Sequence, residues 1–341
     1  MIYPRAMCLA AAAFLFLSAA AQTSHPREHF ENATVMYDWV SNQHGEKLRT
    51  FVTRPNHAAG KVPAIFFVGW LSCDSVEYPD ANTHDGFGIF LRRLIEESGY
   101  ATVRMDKPGV GESQGNCAKA DFQSEMEGFQ AAFDSMAKFD FIDMDRILVV
   151  GLSNGGGFSP MPARDHPVRG FISCGAWGRT WFEHMLDMER RRLTEKGTPP
   201  AEVNAAVKAF AEFYDLYLVK KMTPGQVIAQ HPEWKQLWYD APDGQYGRPA
   251  AFYQQLQSLN LGEVWQRVNA PVLVIRGAND TIMSRTDSET IVGIVNQAHP
   301  GRAIYRQIEG MTHGFTVNGK FSDEVVPIVL LWMKEQLAAS R

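Results

Sequence analysis

The sequence has no Cys-x-x-Cys pair, no His-Glu-x-x-His and no Gly-Lys-Ser or Gly-Lys-Thr. The first two absences leave neither a dithiol redox pair nor a zinc site indicated, and the third excludes a phosphate loop of that type. No metal and no cofactor is therefore expected. Positive charge is also scarce: 33 Lys and Arg face 38 Asp and Glu, for a net charge of −5. That balance gives no general pull toward nucleic acid or an acidic membrane. The apolar stretch 6–17 falls short of the ~20 residues needed to span a bilayer. It follows Arg5 and precedes Ser18-Ala19-Ala20-Ala21-Gln22, the charged, apolar and small-residue regions of a secretory signal. The expectation is a signal peptide over 1–21, cut after Ala21, rather than a membrane anchor. The mature chain would then be periplasmic or secreted, with no stable membrane attachment. Cys8 would leave with the signal, and Cys73, Cys117 and Cys174 would meet an oxidising compartment.

What remains is ample for a globular core, with 341 residues of which 45% are hydrophobic. Residues 34–40 and 48–53 alternate as half-buried strands around a polar turn. The run 64–68 is apolar throughout, as in a strand covered on both faces. Segment 86–97 has a helical apolar stripe, Ala101–Met105 is extended, and Asp121 can cap a helix to about 138. Strands at 146–150 and 168–174 follow. From 177 to about 265 no convincing strand is found, only helical stretches broken at Pro and Gly clusters. Strand 271–276, helix 284–297, strand Ala303–Ile308 and helix 323–337 then close the chain. Alternating strands and helices predict an α/β fold with a mainly parallel sheet flanked by helices. The sheet domain would comprise 22–176 and 266–341, with 177–265 inserted as an all-helical cap.

Chemistry concentrates at Arg146-Ile147-Leu148-Val149-Val150-Gly151-Leu152-Ser153-Asn154-Gly155. An apolar strand running into Gly-x-Ser-x-Gly suits a sharp turn that lifts one serine above a sheet edge. Two further strands end in comparable loops, Gly277-Ala278-Asn279-Asp280 and Gly310-Met311-Thr312-His313-Gly314. Serine needs a base, histidine supplies one near neutral pH, and a carboxylate fixes the imidazole. The candidates are Ser153, His313 and Asp280, with Asp287 in the following helix as the alternative acid. Gly109-Val110-Gly111 also follows a strand, but it lacks the spacing of a dinucleotide loop.

In its order Ser, Asp, His, and in Asp106-Lys107-Pro108-Gly109-Val110-Gly111-Glu112-Ser113, the sequence resembles the α/β-hydrolase superfamily. The resemblance runs from about residue 34 to the end, apart from the insertion. It implies two backbone donors for an oxyanion, the N–H of Asn154 and the N–H of Trp70 in the loop after the 64–68 strand. Pro160 and Pro162 predict a short or kinked helix behind the serine. In the cap, Trp177, Trp181 and Met185 share a helical stripe that packs the cap and can also wall a substrate pocket, while His184 at most contacts substrate. Glu189-Arg190-Arg191-Arg192 reads as a solvated face or as a clamp for a substrate carboxylate. Cys73 and Cys117 both follow parallel strands and so emerge at one sheet edge, which predicts a disulfide between them and leaves Cys174 a buried free thiol. The expected activity is serine hydrolysis through an acyl-enzyme, on carboxylic esters with an apolar or aromatic part. Hydrolysis of short peptides by the same triad, or ligand binding without catalysis, stands as the alternative.

Overall fold

The computed structural model describes residues 26–339. The expected signal and its cut lie outside the described residues. Eight strands form the central sheet: β1 (Ala33–Ser41), β2 (Lys47–Pro55), β3 (Val62–Val68), β4 (Ala101–Met105), β5 (Ile142–Leu152), β6 (Gly170–Cys174), and, after the insertion, β9 (Val272–Gly277) and β10 (Ala303–Ile308). Their spatial order is β1-β2-β4-β3-β5-β6-β9-β10. Strand β2 runs antiparallel to both neighbours, and every pair from β4 to β10 is parallel. Strands β4, β6 and β9 are buried at every position, as helices on both faces require. The edge strand β10 alternates toward solvent.

Helices α1 (Gly86–Ser98) and α10 (Val325–Ala338) cover one face, where Phe90, Leu91 and Leu94 share a cluster with Val325, Val329 and Trp332. Asp85 starts α1 by accepting from the Phe87 and Gly88 N–H groups. The other face carries α2 (Phe122–Ser135), α3 (Asn154–Phe158) and α9 (Arg285–Ala298), through Phe122, Phe133, Phe158, Ile291 and Val295.

Between β6 and β9 the chain forms α4 (Trp181–Glu195), α5 (Pro200–Tyr214), α6 (Pro224–Gln230), α7 (Ala250–Gln257) and α8 (Leu261–Gln266). A capping box at Thr180 and Glu183 opens α4. The segment is not wholly helical, which corrects the all-helical expectation. Before α7 it makes a small hairpin, β7 (Gly244–Gln245) with β8 (Arg248–Pro249). Its two turn residues, Tyr246 and Gly247, both have positive φ, 47° and 73°. Tyrosine at the first of these gives none of the usual Asn-Gly signal, so the hairpin was invisible in the sequence. The insertion has no separate core: Trp181, Tyr214, Phe252 and Trp265 belong to the same apolar cluster as α2 and the sheet.

Strands β3 and β5 lie side by side at the centre, and the chain winds outward from them in opposite directions. The crevice beyond their carboxyl ends is where an open parallel sheet leaves room for a ligand.

Candidate active site

Strand β5 ends at Leu152 and α3 begins at Asn154, so the whole change of direction falls on Ser153. Its backbone sits at φ 54°, ψ −127°, outside the usual range for a residue with a Cβ. Such a turn brings backbone very close to backbone. A Cβ on Gly151 would lie 2.7 Å from the Gly155 carbonyl oxygen, and one on Gly155 would collide with the Gly69 carbonyl. Both flanking residues must therefore be glycine.

The serine hydroxyl points to an imidazole. Ser153 Oγ lies 2.9 Å from His313 Nε2, and His313 Nδ1 lies 2.9 Å from Asp280 Oδ2. Asp280 is buried, and its other oxygen accepts from the Ile282 and Met283 N–H groups at 2.9 and 2.8 Å. A carboxylate so tethered cannot swing away from the ring. With its Nδ1 hydrogen held by Asp280, the imidazole turns the Nε2 lone pair toward the serine, the arrangement needed to take up the hydroxyl proton. Phe87 braces the ring edge-on, with centroids 5.8 Å apart. The alternative acid, Asp287, is buried on α9 against Arg179 and His184 and makes no bond to His313.

Trp70 and Asn154 line the same pocket as Ser153. Among the described residues, none accepts a hydrogen bond from either backbone N–H. The loop carrying Trp70 is clasped from beneath by the turn after β4. Asp106 accepts from Ser75 Oγ and from the Val76 N–H, each at 2.8 Å. Lys107, buried, donates to the Trp70 carbonyl at 2.6 Å and to the Ser72 carbonyl. Burial first, and then the Arg248 charge, push the Lys107 pKa well below the usual lysine value against the pull of Asp74 and Asp106. Cys73 and Cys117 are joined by a disulfide with Cα atoms 5.9 Å apart, which ties the same loop to the next one. Arg248 on β8 donates to the Cys117 carbonyl at 2.9 Å and pairs with Glu125. Cys174 is free and buried, its thiol pKa raised by that burial.

The pocket over Ser153 has a volume of about 330 Å³. Leu71, Phe87, Trp181, Met185, Met188 and Ile282 make most of its wall, and none of its lining residues is Asp or Glu. A larger groove of about 760 Å³ runs along α2 and α7, but it shares no residue with this site.

Two sequence expectations need correction. Trp177 does not line the pocket: it is fully buried beneath α3, where its Nε1–H donates to the Asn154 carbonyl at 3.3 Å. It lies in the loop before α4 rather than on that helix, and Gly157 leaves room for the indole. The 189–192 run is solvated only in part, with Arg190 exposed, and it forms no clamp on the pocket. Glu189 is buried and bonded to Arg192 and Tyr239, while Arg191 donates to the Thr281 and Ile282 carbonyls at 2.7 and 2.9 Å. No arginine of that run lines the pocket. The expected short helix after the serine is present: α3 has 5 residues, then a tight turn over Met161–Ala163. Lys107 and Arg191 were missed in the sequence. The available signal for the first was a lysine at the end of a strand with no exposed position, but spacing says nothing of which carbonyls it reaches.

Residues 87–317 match the family described as "Serine aminopeptidase, S33". Solved structures of similar fold include Est1E from Butyrivibrio proteoclasticus with ferulic acid bound, at 19% identity and a TM-score of 0.60 over 89% of this chain and 100% of that one. Proline iminopeptidase from Mycobacterium smegmatis has 19% identity and a TM-score of 0.55 over 89% and 99%. Acetyl xylan esterase 1 from a Thermoanaerobacterium species has 15% identity and a TM-score of 0.55 over 91% and 86%.

Proposed function

Since the chain belongs to the S33 serine aminopeptidase family, within the α/β-hydrolase superfamily, we propose that this hydrolase is an exported serine esterase acting on carboxylic esters with an apolar or aromatic part. The observation that carries the reading is the hydrogen-bonded series Asp280–His313–Ser153 at the base of an apolar pocket. In the proposed reaction His313 takes the Ser153 proton as Oγ attacks the ester carbonyl carbon. The Trp70 and Asn154 N–H groups receive the oxyanion, each worth about 3 kcal/mol in the transition state. Collapse breaks the bond to the alkoxy oxygen, which leaves as the alcohol with the proton from His313. Water then repeats the sequence on the acyl-enzyme, releasing the acid and restoring Ser153.

The family description and the proline iminopeptidase neighbour favour a second reading, cleavage of an amino-terminal residue. An α-ammonium brought into an apolar pocket needs a carboxylate partner. None of the pocket-lining residues supplies one, so the ester reading is preferred. An aromatic acid bound to a protein of similar fold is in keeping with that choice.

The test pairs labelling with turnover. A fluorophosphonate should modify Ser153 and no other serine, and p-nitrophenyl esters should be cleaved much faster than aminoacyl nitroanilides. Ser153→Ala should abolish both labelling and turnover, and Asp280→Asn should lower kcat by orders of magnitude. Near-normal turnover by Ser153→Ala would overturn the mechanism, and a faster nitroanilide reaction would reverse the choice of substrate class.

A further inference from the structure

A second imidazole–carboxylate pair, which the reaction above does not use, reaches the pocket over Ser153 through its histidine alone. His184, on α4, lines the pocket wall and is otherwise buried. Its Nδ1 faces Asp287 Oδ2 at 3.4 Å, across 103 residues of chain. Asp287 is itself fixed: Arg179 Nε donates to it at 2.9 Å, Ser284 Oγ at 2.8 Å, and the Ser284 N–H at 3.0 Å. Burial would raise the pKa of this carboxyl, but the hydrogen bonds from His184 and Arg179, with the Arg179 charge, outweigh it and hold the group well below the ordinary carboxylate range. Asp287 is therefore an anion at any working pH, and an anion accepts.

That fixes the tautomer of its neighbour. In neutral His184 the hydrogen is on Nδ1, directed at Asp287, and Nε2 carries the lone pair. No described residue hydrogen-bonds Nε2. Beside it on the same wall stands Trp181, ring centroid 5.1 Å away, whose buried Nε1–H also lacks a partner among the described residues. The His184 acceptor thus stands unpaired in a wall that also carries Leu71, Phe87, Met185, Met188 and Ile282. A buried polar group without a partner is costly, whereas a site built to bond one discriminates strongly against ligands that lack it.

We propose that His184 is a specificity residue whose Nε2 accepts a hydrogen bond from a hydroxyl group on the apolar part of the substrate, so that hydroxylated esters are the preferred substrates. This rests on the ester reading of the same pocket. A hydroxyl is the group of choice because it can give its hydrogen to the His184 lone pair. An ether in its place offers no hydrogen, and a carboxylate would oppose the lone pair.

The experiment compares methyl 3-phenylpropanoate with its 4-hydroxyphenyl and 4-methoxyphenyl counterparts, and methyl hexanoate with methyl 6-hydroxyhexanoate, in the native protein and in His184→Phe and His184→Gln. The native protein should show kcat/KM about tenfold higher for the hydroxylated member of at least one series than for its unsubstituted or methoxy partner. The aromatic and aliphatic series distinguish a phenol from an alkanol as the source of the hydroxyl. In His184→Phe that ratio should fall to about one, because the hydroxylated ester loses more than the plain one. In His184→Gln, whose amide oxygen can still accept near the Nε2 position, part of the ratio should return. A merely structural role for His184 would slow both esters alike and leave the ratio standing. No preference in the native protein, or an unchanged ratio in His184→Phe, overturns the proposal. Failure of the native protein to cleave any of these or the p-nitrophenyl esters would instead sink the ester reading itself.

Discussion

Lys107 is the residue whose position most needs a cause. A lysine with almost no exposure loses most of its hydration, and the two acids near it offer charge without a direct bond. What it has instead are the carbonyls of Trp70 and Ser72, one on each side of Leu71. Those contacts fix the turn of the loop whose Trp70 N–H is proposed to meet the oxyanion. Lys107→Met keeps the length and apolar stem while removing the donors, so a loosened loop should cost transition-state binding more than substrate binding. We expect kcat to fall by about 10–100-fold with KM within about threefold, measured at a temperature where the thermal melt shows the variant folded. A raised KM with kcat retained would assign Lys107 to the pocket wall instead.

At the scale of elements, the loop after β3 is held by the turn after β4 in three ways: by Asp106, by Lys107 and by the Cys73–Cys117 bond. The sequence separation of 44 makes the closed loop long. The chain-entropy model then suggests about 4 kcal/mol as an upper estimate of its stabilisation. Replacing both cysteines by serine should lower the urea midpoint accordingly and also reduce kcat, because the loop it ties carries Trp70. Urea unfolding beside ester kinetics under mild conditions checks both. A variant with full kcat and lowered stability would confine the disulfide to the fold. The acid loop has a comparable support from the other side, since Arg191 of α4 bonds the carbonyls of Thr281 and Ile282 next to Asp280. The inserted helices therefore support the loops of the site as well as forming its wall.

For the whole molecule, this changes what removal of the insertion should do. A cap that were a separate unit could be cut away with a change of selectivity alone. Here Trp265 donates to the Gly157 carbonyl at 2.8 Å, Phe252 packs edge-on against Phe122, and both lie in the cluster that covers the sheet. Excising 177–265 with a short linker would expose that cluster, at roughly 25 cal/mol for each Å² of apolar surface uncovered. We expect the truncated chain to aggregate or to lose cooperative unfolding, which light scattering and circular dichroism would report. A soluble, cooperatively folding truncation that still cleaves esters would restore the independent cap.

The order of strands and helices, the elbow at Ser153 and the loops holding Asp280 and His313 were legible in the sequence. Each depends on short-range features: apolar periods, glycines at a forced turn, and chain direction in a parallel sheet, which brings successive strand ends to one edge. The Cys73–Cys117 pairing followed from the same geometry, and the structure joins those residues. What the sequence left open were choices among partners far apart along the chain. Asp280 and Asp287 are seven residues apart, and only the packing of α9 against α4 turns the second toward His184 while the loop before it gives the first to His313. Helical spacing groups Trp177 with Trp181 and Met185, yet α4 begins only at Trp181, and Trp177, in the loop before it, packs under α3 in the space left by Gly157 while the others line the pocket. Periodicity decides which residues leave the solvent. It is the register of one element on another that decides what each of them then meets.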